Sequence, residues 1–130
     1  MTLVVDSSLV VAALVDDGPE GRWAEGLLLD GPLHAPELMP FEAANVLRRL
    51  TSAGRLSADI ASLAHRNLLS LPVVLVPYEA VADRAWELRE NVTGVDAAYV
   101  AVAELIRAPL ATLDRKLAAA PGTRCEFRLP

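Results

Sequence analysis

The chain has 130 residues and a net charge of −5, with 53% apolar and 22% charged residues. This length suits one folded unit, so we expect residues 1–130 to form a single domain. The longest apolar runs, such as residues 9–15, stop well short of the roughly 20 residues of a membrane span, and no secretion signal is evident. A lone Cys125 excludes an internal disulfide, so the composition predicts a soluble cytoplasmic domain with some apolar surface left for a partner.

The first half of the chain alternates short apolar, β-branched runs with helical patterns. Capping residues, prolines at first helical positions and terminal glycines mark the helix ends. The predicted elements are a strand at 3–5, a helix at 9–15 capped by Ser7 or Ser8, a helix from Pro19 with Trp23, Leu27 and Leu28 in its apolar stripe, and a short strand at 33–35. They continue with a helix from Pro40 to Gly54 and a helix begun by Ser57, with Ile60, Leu63, Ala64 and Leu68 on one side.

The second half continues the alternation. Its predicted elements are a buried strand at 73–76, a helix at 78–90 with Val81, Ala85 and Leu88 inward, a turn at 91–95, a helix at 96–107, a strand at 110–113, a short helix at 114–119 and an edge strand at 125–128. Strands that alternate with helices predict an α/β fold with a mainly parallel sheet covered on both faces.

Four acidic residues come at corresponding points of this pattern. Asp6 and Asp114 each follow a predicted strand, while Glu42 and Asp96 each open a predicted helix. Ligands bind outside the carboxyl ends of parallel strands, and helices that enter from that edge begin there, so the four acids can converge. Mg²⁺ prefers oxygen ligands of this kind, and several clustered acids bound to metal reconcile the net negative charge with a nucleic-acid substrate.

Each acid also has a structural explanation. Asp6 and Asp114 suit helix N-caps, and acids in the first helical turn, such as Glu42 and Asp96, are favoured by about 0.3–1 kcal/mol through the helix dipole. The apolar neighbours of Asp6 and Asp96 are harder to explain by capping alone, because caps are normally solvated.

Four segments together resemble the successive motifs of PIN domains, and they match the VapC toxin branch best. The segments are VVDSS at 4–8, PFEAANVLRR at 40–49, DAAYVAVAE at 96–104 and LATLD at 110–114. The order and spacing agree from residue 2 to about residue 118. The resemblance implies a PIN-like three-layer sandwich with a five-stranded, mainly parallel sheet in the order 3-2-1-4-5.

The same resemblance implies a site and an activity. The family's metal-binding and catalytic acids fall on Asp6, Glu42, Asp96 and Asp114, which implies an endoribonuclease that uses Mg²⁺ or Mn²⁺ to activate water. Hydrolysis of a tRNA or rRNA would leave a 5′-phosphate and a 3′-hydroxyl. Some relatives carry a further acid shortly after the fourth one, whereas Arg115 and Lys116 occupy those positions here.

Supporting positions are assigned on the same basis. Ser8 and Thr112 match positions that often carry a hydroxyl near the site, with capping and strand propensity as the alternative explanation. Asn45 matches a common polar position one turn beyond Glu42. Three arginines are candidates for RNA-phosphate contact or, equally, for a solvated helix face: Arg48, Arg49 and Arg55.

The remaining distinctive residues favour structural roles. We expect His34, His65 and Cys125 to take no part in chemistry and Trp23 and Trp86 to anchor the core or an interface. Glu104 is interpreted as a solvated or supporting acid and kept as a minor site candidate.

The resemblance further implies a VapB-like antitoxin as partner and a homodimer, with contacts on the helices that carry Trp23, Leu27, Leu63 and Leu68. An antitoxin arginine in an acidic site is physically reasonable, since it competes with metal. The main alternative is a catalytically silent PIN-like module that binds RNA or protein, although such a module would usually have lost an acid. A haloacid-dehalogenase-type phosphatase needs a second Asp two positions after Asp6, and a receiver domain needs an Asp at 73–76; both are absent.

Overall fold

The computed structural model describes the whole chain from Met1 to Pro130 and contains five short strands with seven α-helices. In chain order the elements are β1 (Leu3–Val5), α1 (Ser7–Val15), α2 (Pro19–Leu28), β2 (Leu33–Pro36), α3 (Met39–Ser52), α4 (Ala58–Ser70), β3 (Val73–Val76), a 3₁₀ turn (Tyr78–Ala80), α5 (Ala82–Glu87), α6 (Gly94–Ile106), β4 (Leu110–Ala111), α7 (Arg115–Ala118) and β5 (Phe127–Arg128).

The strands form one parallel sheet in the order β3-β2-β1-β4-β5, which confirms the predicted order. At its centre, Val4 of β1 is in register with His34 of β2 on one side and with Leu110 of β4 on the other. The chain therefore leaves β1 toward one edge and returns to the other side of β1 at β4. In sheets of this kind ligands bind at such a reversal, which here lies at the carboxyl ends of β1 and β4.

Helices flank the sheet and make the three layers. The helix α6 contacts β1, β2 and β4, and every residue of its stretch 97–103 is buried. The helices α1 to α4 contact one another, and α5 contacts α6. All three residues of β1 are fully buried, as expected for the central strand of a parallel sheet with both faces covered.

The strand β3 corrects one prediction. Its continuous run of apolar residues predicts a buried strand, yet Val74 and Leu75 are 56% and 42% exposed. The reason is position: β3 lies at the edge of the sheet and pairs only with β2. An apolar run of this length marks a strand but does not say whether neighbours cover it.

Smaller differences concern the ends of elements. The helix predicted at 78–90 is a 3₁₀ turn followed by α5, because the backbone at Val81 (φ −127°, ψ 2°) is not helical. The first helix begins at Ser7 rather than residue 9, and its cap is Asp6 instead of a serine. The last strand contains only Phe127–Arg128, so Cys125 lies outside it.

The apolar side of α4 is divided between core and surface. Ala64 and Leu68 are buried, whereas Ile60 and Leu63 are 53% and 55% exposed. Leu68 therefore belongs to the core and not to a partner surface as predicted. No helix in the chain is both long and apolar enough to cross a bilayer.

Candidate active site

Asp6 is the most buried of the four predicted acids, with 6% of its surface exposed. Its Oδ1 accepts hydrogen bonds from the Ser8 hydroxyl at 2.7 Å and the Leu9 amide at 3.0 Å, and its Oδ2 accepts one from the Thr112 hydroxyl. Burial nevertheless raises the pKa of this carboxyl above its usual value. Asp6 thus caps α1, as the structural explanation predicts, and is also held in a single orientation at the end of β1.

Two hydroxyls join the ends of β1 and β4. Thr112 donates to Asp6 and accepts a hydrogen bond from the Asp114 amide at 3.0 Å. Ser8 donates to Asp6 and accepts one from the Leu113 amide at 3.3 Å. Through these contacts the loop after β4, which carries Asp114, is attached to the buried acid after β1.

Glu42 and Asp96 lie in the first turns of α3 and α6. The Tyr99 hydroxyl donates to Oε1 of Glu42 at 2.6 Å, and the Thr93 hydroxyl donates to Oδ2 of Asp96 at 3.2 Å. Because Tyr99 lies one turn after Asp96 on α6, its hydrogen bond ties the helix of one acid to the helix of the other.

Asp114 is exposed and caps α7. Its Oδ1 accepts hydrogen bonds from the Lys116 amide at 2.9 Å and the Leu117 amide at 3.1 Å. Its Oδ2 accepts none from the protein, and the cationic side chains of Arg115 and Lys116 form no ion pair with it. One carboxylate oxygen therefore serves the helix and the other is free for a ligand.

The four acids influence one another electrostatically. Burial is the main cause that raises the pKa of Asp6, Glu42 and Asp96, and neighbouring negative charge adds to it. The charge on Asp96 raises the pKa of both Asp6 and Glu42, and the charge on Asp114 raises the pKa of Asp96. The acids lie at one end of the sheet because Asp6 and Asp114 follow the parallel strands β1 and β4, and the Tyr99 hydrogen bond joins the helix of Glu42 to that of Asp96.

The donor chemistry of this end fits a divalent cation. None of the four acids forms an ion pair, since the ion pairs of the chain involve only Arg84 and Arg128. Hard cations prefer carboxylate oxygens, and binding one relieves the repulsion between the acids. The side chains are not drawn together into a closed site, because no three of them meet the spacing of a metal cluster. Three of these carboxylates could hold one ion together only if their side chains moved closer to one another.

The predicted supporting residues on α3 lie further out. Asn45 is exposed, and its Oδ1 accepts a hydrogen bond from Nε of Arg48 at 3.1 Å instead of contacting an acid. Arg48, Arg49 and Arg55 are exposed and none of them forms an ion pair. The structure brings none of these three arginines into contact with the four acids.

Two residues of this region were not singled out by the sequence. Tyr99 and Thr93 are the hydrogen-bond donors to Glu42 and Asp96. Tyr99 stands in the 96–104 segment, where an aromatic hydroxyl among alanines and valines is a usable signal. Thr93 precedes α6 as its N-cap and looks like an ordinary capping residue in the sequence.

Glu104, the minor candidate, lies apart from the four acids. It is neither solvated nor free: Nε of Arg84 donates to its Oε1 at 2.6 Å and the Arg124 amide donates to its Oε2 at 2.8 Å. Burial favours a higher pKa, but the hydrogen bonds and charge of Arg84 prevail and hold the pKa of Glu104 below its usual value. Glu104 is thus a structural acid with its own cation.

The other distinctive residues also lie away from the four acids. His34 is on β2 with a buried Nδ1 that has no hydrogen-bond partner. Burial raises the pKa of the Cys125 thiol to about 11, which keeps it unreactive. Trp23 packs against the core, whereas Trp86 is 65% exposed with the Arg89 guanidinium 4.7 Å from its ring centre.

Comparison with known proteins gives a consistent family. The family model of the PIN domain matches residues 3–122. The chain is 38% identical to Ribonuclease VapC1 of Mycobacterium tuberculosis, over 97% of this chain and 96% of that protein. It is 37% identical to Ribonuclease VapC9 of the same organism, over 95% of this chain and 94% of that one.

Solved structures share the fold. PAE2754 from Pyrobaculum aerophilum superposes with a TM-score of 0.72 at 27% identity, covering 98% of this chain and 83% of that one. VapC20 of Mycobacterium tuberculosis, described as a toxin that cleaves the sarcin-ricin loop, gives 0.70 at 21% identity over 94% and 96% of the two chains. VapBC2 from Rickettsia felis, solved bound to a promoter DNA fragment, gives 0.68 at 14% identity over 98% and 99%.

Proposed function

The chain belongs to the PIN-domain family, and on that basis we propose that it is a divalent-metal-dependent endoribonuclease acting as the toxin of a VapBC-type toxin–antitoxin pair. The observation that carries the proposal is that none of Asp6, Glu42, Asp96 and Asp114 forms an ion pair with a cationic side chain. A folded chain that keeps four mutually repelling acids together loses stability by doing so, and a bound metal ion compensates for that loss. The names of the relatives as ribonucleases agree with this chemistry.

The four acids would hold Mg²⁺ or Mn²⁺ at the carboxyl end of the sheet. When bound, such an ion lowers the pKa of water and offsets negative charge on a phosphate. The protein's contribution is orientation: Ser8 and Thr112 fix Asp6, Tyr99 fixes Glu42, and Thr93 fixes Asp96. Side chains fixed in this way lose little additional freedom when a ligand binds.

The proposed reaction is hydrolysis of a phosphodiester bond in a tRNA or rRNA. A water oxygen forms a bond to phosphorus and the 3′-oxygen leaves, which gives 5′-phosphate and 3′-hydroxyl ends. The alternative route, attack by the 2′-hydroxyl, usually employs a pair of histidines as base and acid. The chain has only His34 and His65, and neither contacts the four acids.

The test incubates the purified chain with total cellular RNA in Mg²⁺, in Mn²⁺ and in EDTA. Asp96→Asn removes one charge of the cluster, and Asp83→Asn makes the same change at an exposed acid in the first turn of α5. We expect discrete products that require metal and appear with Asp83→Asn but not with Asp96→Asn. Full activity of Asp96→Asn, or equal cleavage in EDTA, contradicts the proposal. Binding of RNA without any cleavage would favour the silent PIN-like module.

We also propose that residues 1–130 form one domain that assembles as a homodimer and is neutralised by a VapB-like antitoxin. The exposed apolar residues Ile60 and Leu63 on α4, together with half-buried Trp23 and Leu27 on α2, offer surface for such contacts. Light scattering of the purified chain, alone and co-expressed with the product of a neighbouring gene, tests both assemblies. A chain that is monomeric alone and forms no complex when co-expressed would contradict both proposed assemblies.

A further inference from the structure

A groove of about 340 Å³ runs between α3 and α4 and is lined by basic and hydroxyl side chains. Its arginines are Arg48 on α3 and Arg66 on α4, and His65 and the hydroxyls of Thr51 and Ser62 line the groove beside them. No acidic residue lines this groove, although the chain as a whole has a net charge of −5. The groove is therefore a local concentration of positive charge on an acidic protein.

The cationic groups of the groove are available for a ligand. Arg48 uses only its Nε, which donates to Asn45, so both terminal nitrogens of the guanidinium are free. The side chains of Arg66 and His65 are exposed and form neither an ion pair nor a hydrogen bond. Arginine side chains with free guanidinium nitrogens are suited to bidentate contacts with phosphate.

The groove and one of the four acids lie on the same helix. Ala44, which lines it, is two residues beyond Glu42 on the same helix. At 1.5 Å per residue, Arg48 lies about 9 Å further along the axis of α3 than Glu42. Six residues also carry Arg48 about one and two-thirds turns around that axis, so it faces a different side of α3 from Glu42. A nucleic-acid strand with one phosphate at the acids therefore reaches the groove by passing over the side of α3, and phosphates further along the strand lie in it.

We propose that the α3–α4 groove binds backbone phosphates of the RNA strand on one side of the phosphate that is cleaved, with Arg48 and Arg66 as the phosphate ligands and His65 and Ser62 as additional donors. This assignment rests on the proposed ribonuclease activity and adds to it the path of the substrate. Contacts to phosphates fix the position and register of a strand without reading its sequence. The groove supplies affinity, and base selection comes from elsewhere.

Binding is measured separately from cleavage, by fluorescence anisotropy of a short labelled single-stranded RNA in EDTA. Arg48→Gln and Arg66→Gln each remove one charge from the groove. Arg107→Gln is the matched control, because Arg107 is exposed and lies just before β4, at the amino end of the sheet. We expect the groove variants to bind on the order of threefold to tenfold more weakly, and the slope of log K against log salt to fall by about 0.7 for each lost contact. The control should match the wild type in both quantities.

Equal binding by the groove variants, the control and the wild type overturns the groove assignment. If the metal-dependent cleavage assay still succeeds in that case, the proposed activity stands and only the path is wrong. If the wild type cleaves no RNA but binds it, and the groove variants weaken that binding, the proposed activity is contradicted and the groove assignment stands. Competition with polyglutamate separates RNA from an acidic protein partner, and displacement of the RNA at equal charge concentration would overturn RNA as the occupant.

Discussion

The two ends of α6 carry acids in opposite situations. Asp96 in the first turn has no cation near it, and burial and Asp114 raise its pKa. Glu104 in the last turn is bound by Arg84 at 2.6 Å, and its pKa is lowered. The helix dipole alone predicts the reverse, since it favours an acid at the N-terminus and disfavours one at the C-terminus.

The difference shows that burial at Asp96 and the Arg84 side chain at Glu104 outweigh the dipole here. The protein neutralises a partly buried acid with its own arginine where the acid serves the structure. It leaves the acids at the carboxyl end of the sheet without a counter-charge, which reduces the stability of the folded chain. Acids left in this state are candidates for binding a cation from solution.

The largest expected contrast is in activity. Glu42→Gln keeps the acceptor for the Tyr99 hydroxyl but removes a charge, so we expect cleavage to fall by about 100-fold or more. Glu104→Gln, the same substitution at the other acid, should stay within about threefold when assayed well below its unfolding temperature. Initial rates with Mg²⁺ measure both. Comparable losses in the two variants would show that an acid of the cluster matters no more for activity than Glu104, which is paired with Arg84.

The next contrast is in stability. Arg84→Ala removes the hydrogen bonds to Glu104, Glu87 and the Gly122 carbonyl and leaves Glu104 with only one donor. We expect a loss of about 1–3 kcal/mol in the free energy of unfolding, reduced from the value for a fully buried pair because the Arg84 side chain is 22% exposed. Urea unfolding measures it.

Two variants sharpen this stability prediction. Arg89→Ala, at an arginine that contacts only the Trp86 ring and carbonyl, should change stability by less than about 1 kcal/mol. Replacing both partners, Arg84→Met with Glu104→Leu, should recover much of the loss, since no charge is then left unpaired. If the double variant is no more stable than Arg84→Ala, the ion pair is not the source of the effect.

The pH dependence of stability separates the two regions by sign. In the folded chain the pKa values of Asp6, Glu42 and Asp96 lie above the ordinary 3.8 for Asp and 4.5 for Glu. Their contribution to the stability of the fold is therefore complete below the ordinary pKa and is lost as pH rises through the folded-state pKa. Glu104 acts oppositely: its contribution is present above its ordinary pKa and is lost as pH falls through the lowered one.

In EDTA the unfolding temperature of the wild type should therefore fall as pH rises above about 4 to 5, and this fall should be smaller in Glu42→Gln. The unfolding temperature should also fall as pH is lowered through the pKa of Glu104, and that fall should be smaller in Arg84→Ala. Mg²⁺ should raise the unfolding temperature of the wild type at neutral pH and do so less for Glu42→Gln. A Mg²⁺ effect that is equal in the two proteins would mean that the ion binds elsewhere.

The sequence could predict the order of elements and that Asp6 and Asp114 follow strands that end at the same edge of the sheet. Strand runs and helix ends are local patterns, and the parallel order makes strand ends such as those before Asp6 and Asp114 coincide. It could not predict that β3 is exposed, because exposure depends on which helices cover an edge strand. The boundary at Val81, within what looks like one helix, also lacks a local signal.

The contacts that distinguish the two ends of α6 were beyond the sequence for a related reason. Tyr99 reaches Glu42 across 57 residues of chain, and Arg84 reaches Glu104 across 20. Neither spacing lies within one helix, where pairs three or four residues apart can be recognised. The sequence consequently left Glu104 as a solvated or supporting acid and gave Tyr99 no role of its own.

The smallest expected effect concerns Tyr99. Burial and the adjacent Glu42 raise the pKa of its hydroxyl, so the proton stays on Tyr99 and is donated to the carboxylate. Tyr99→Phe keeps the buried ring and removes only this hydrogen bond, which should lower stability by about 1 kcal/mol. Without its donor, Glu42 is less well oriented and its pKa rises further, so cleavage should fall by tenfold at most and recover partly at higher Mg²⁺.

Tyr78→Phe is the control, since the Tyr78 side chain is 51% exposed and its hydroxyl has no partner. A loss in Tyr99→Phe as large as that in Glu42→Gln, unrelieved by Mg²⁺, would mean that the hydroxyl acts on the substrate directly and is more than a positioning group for the acid.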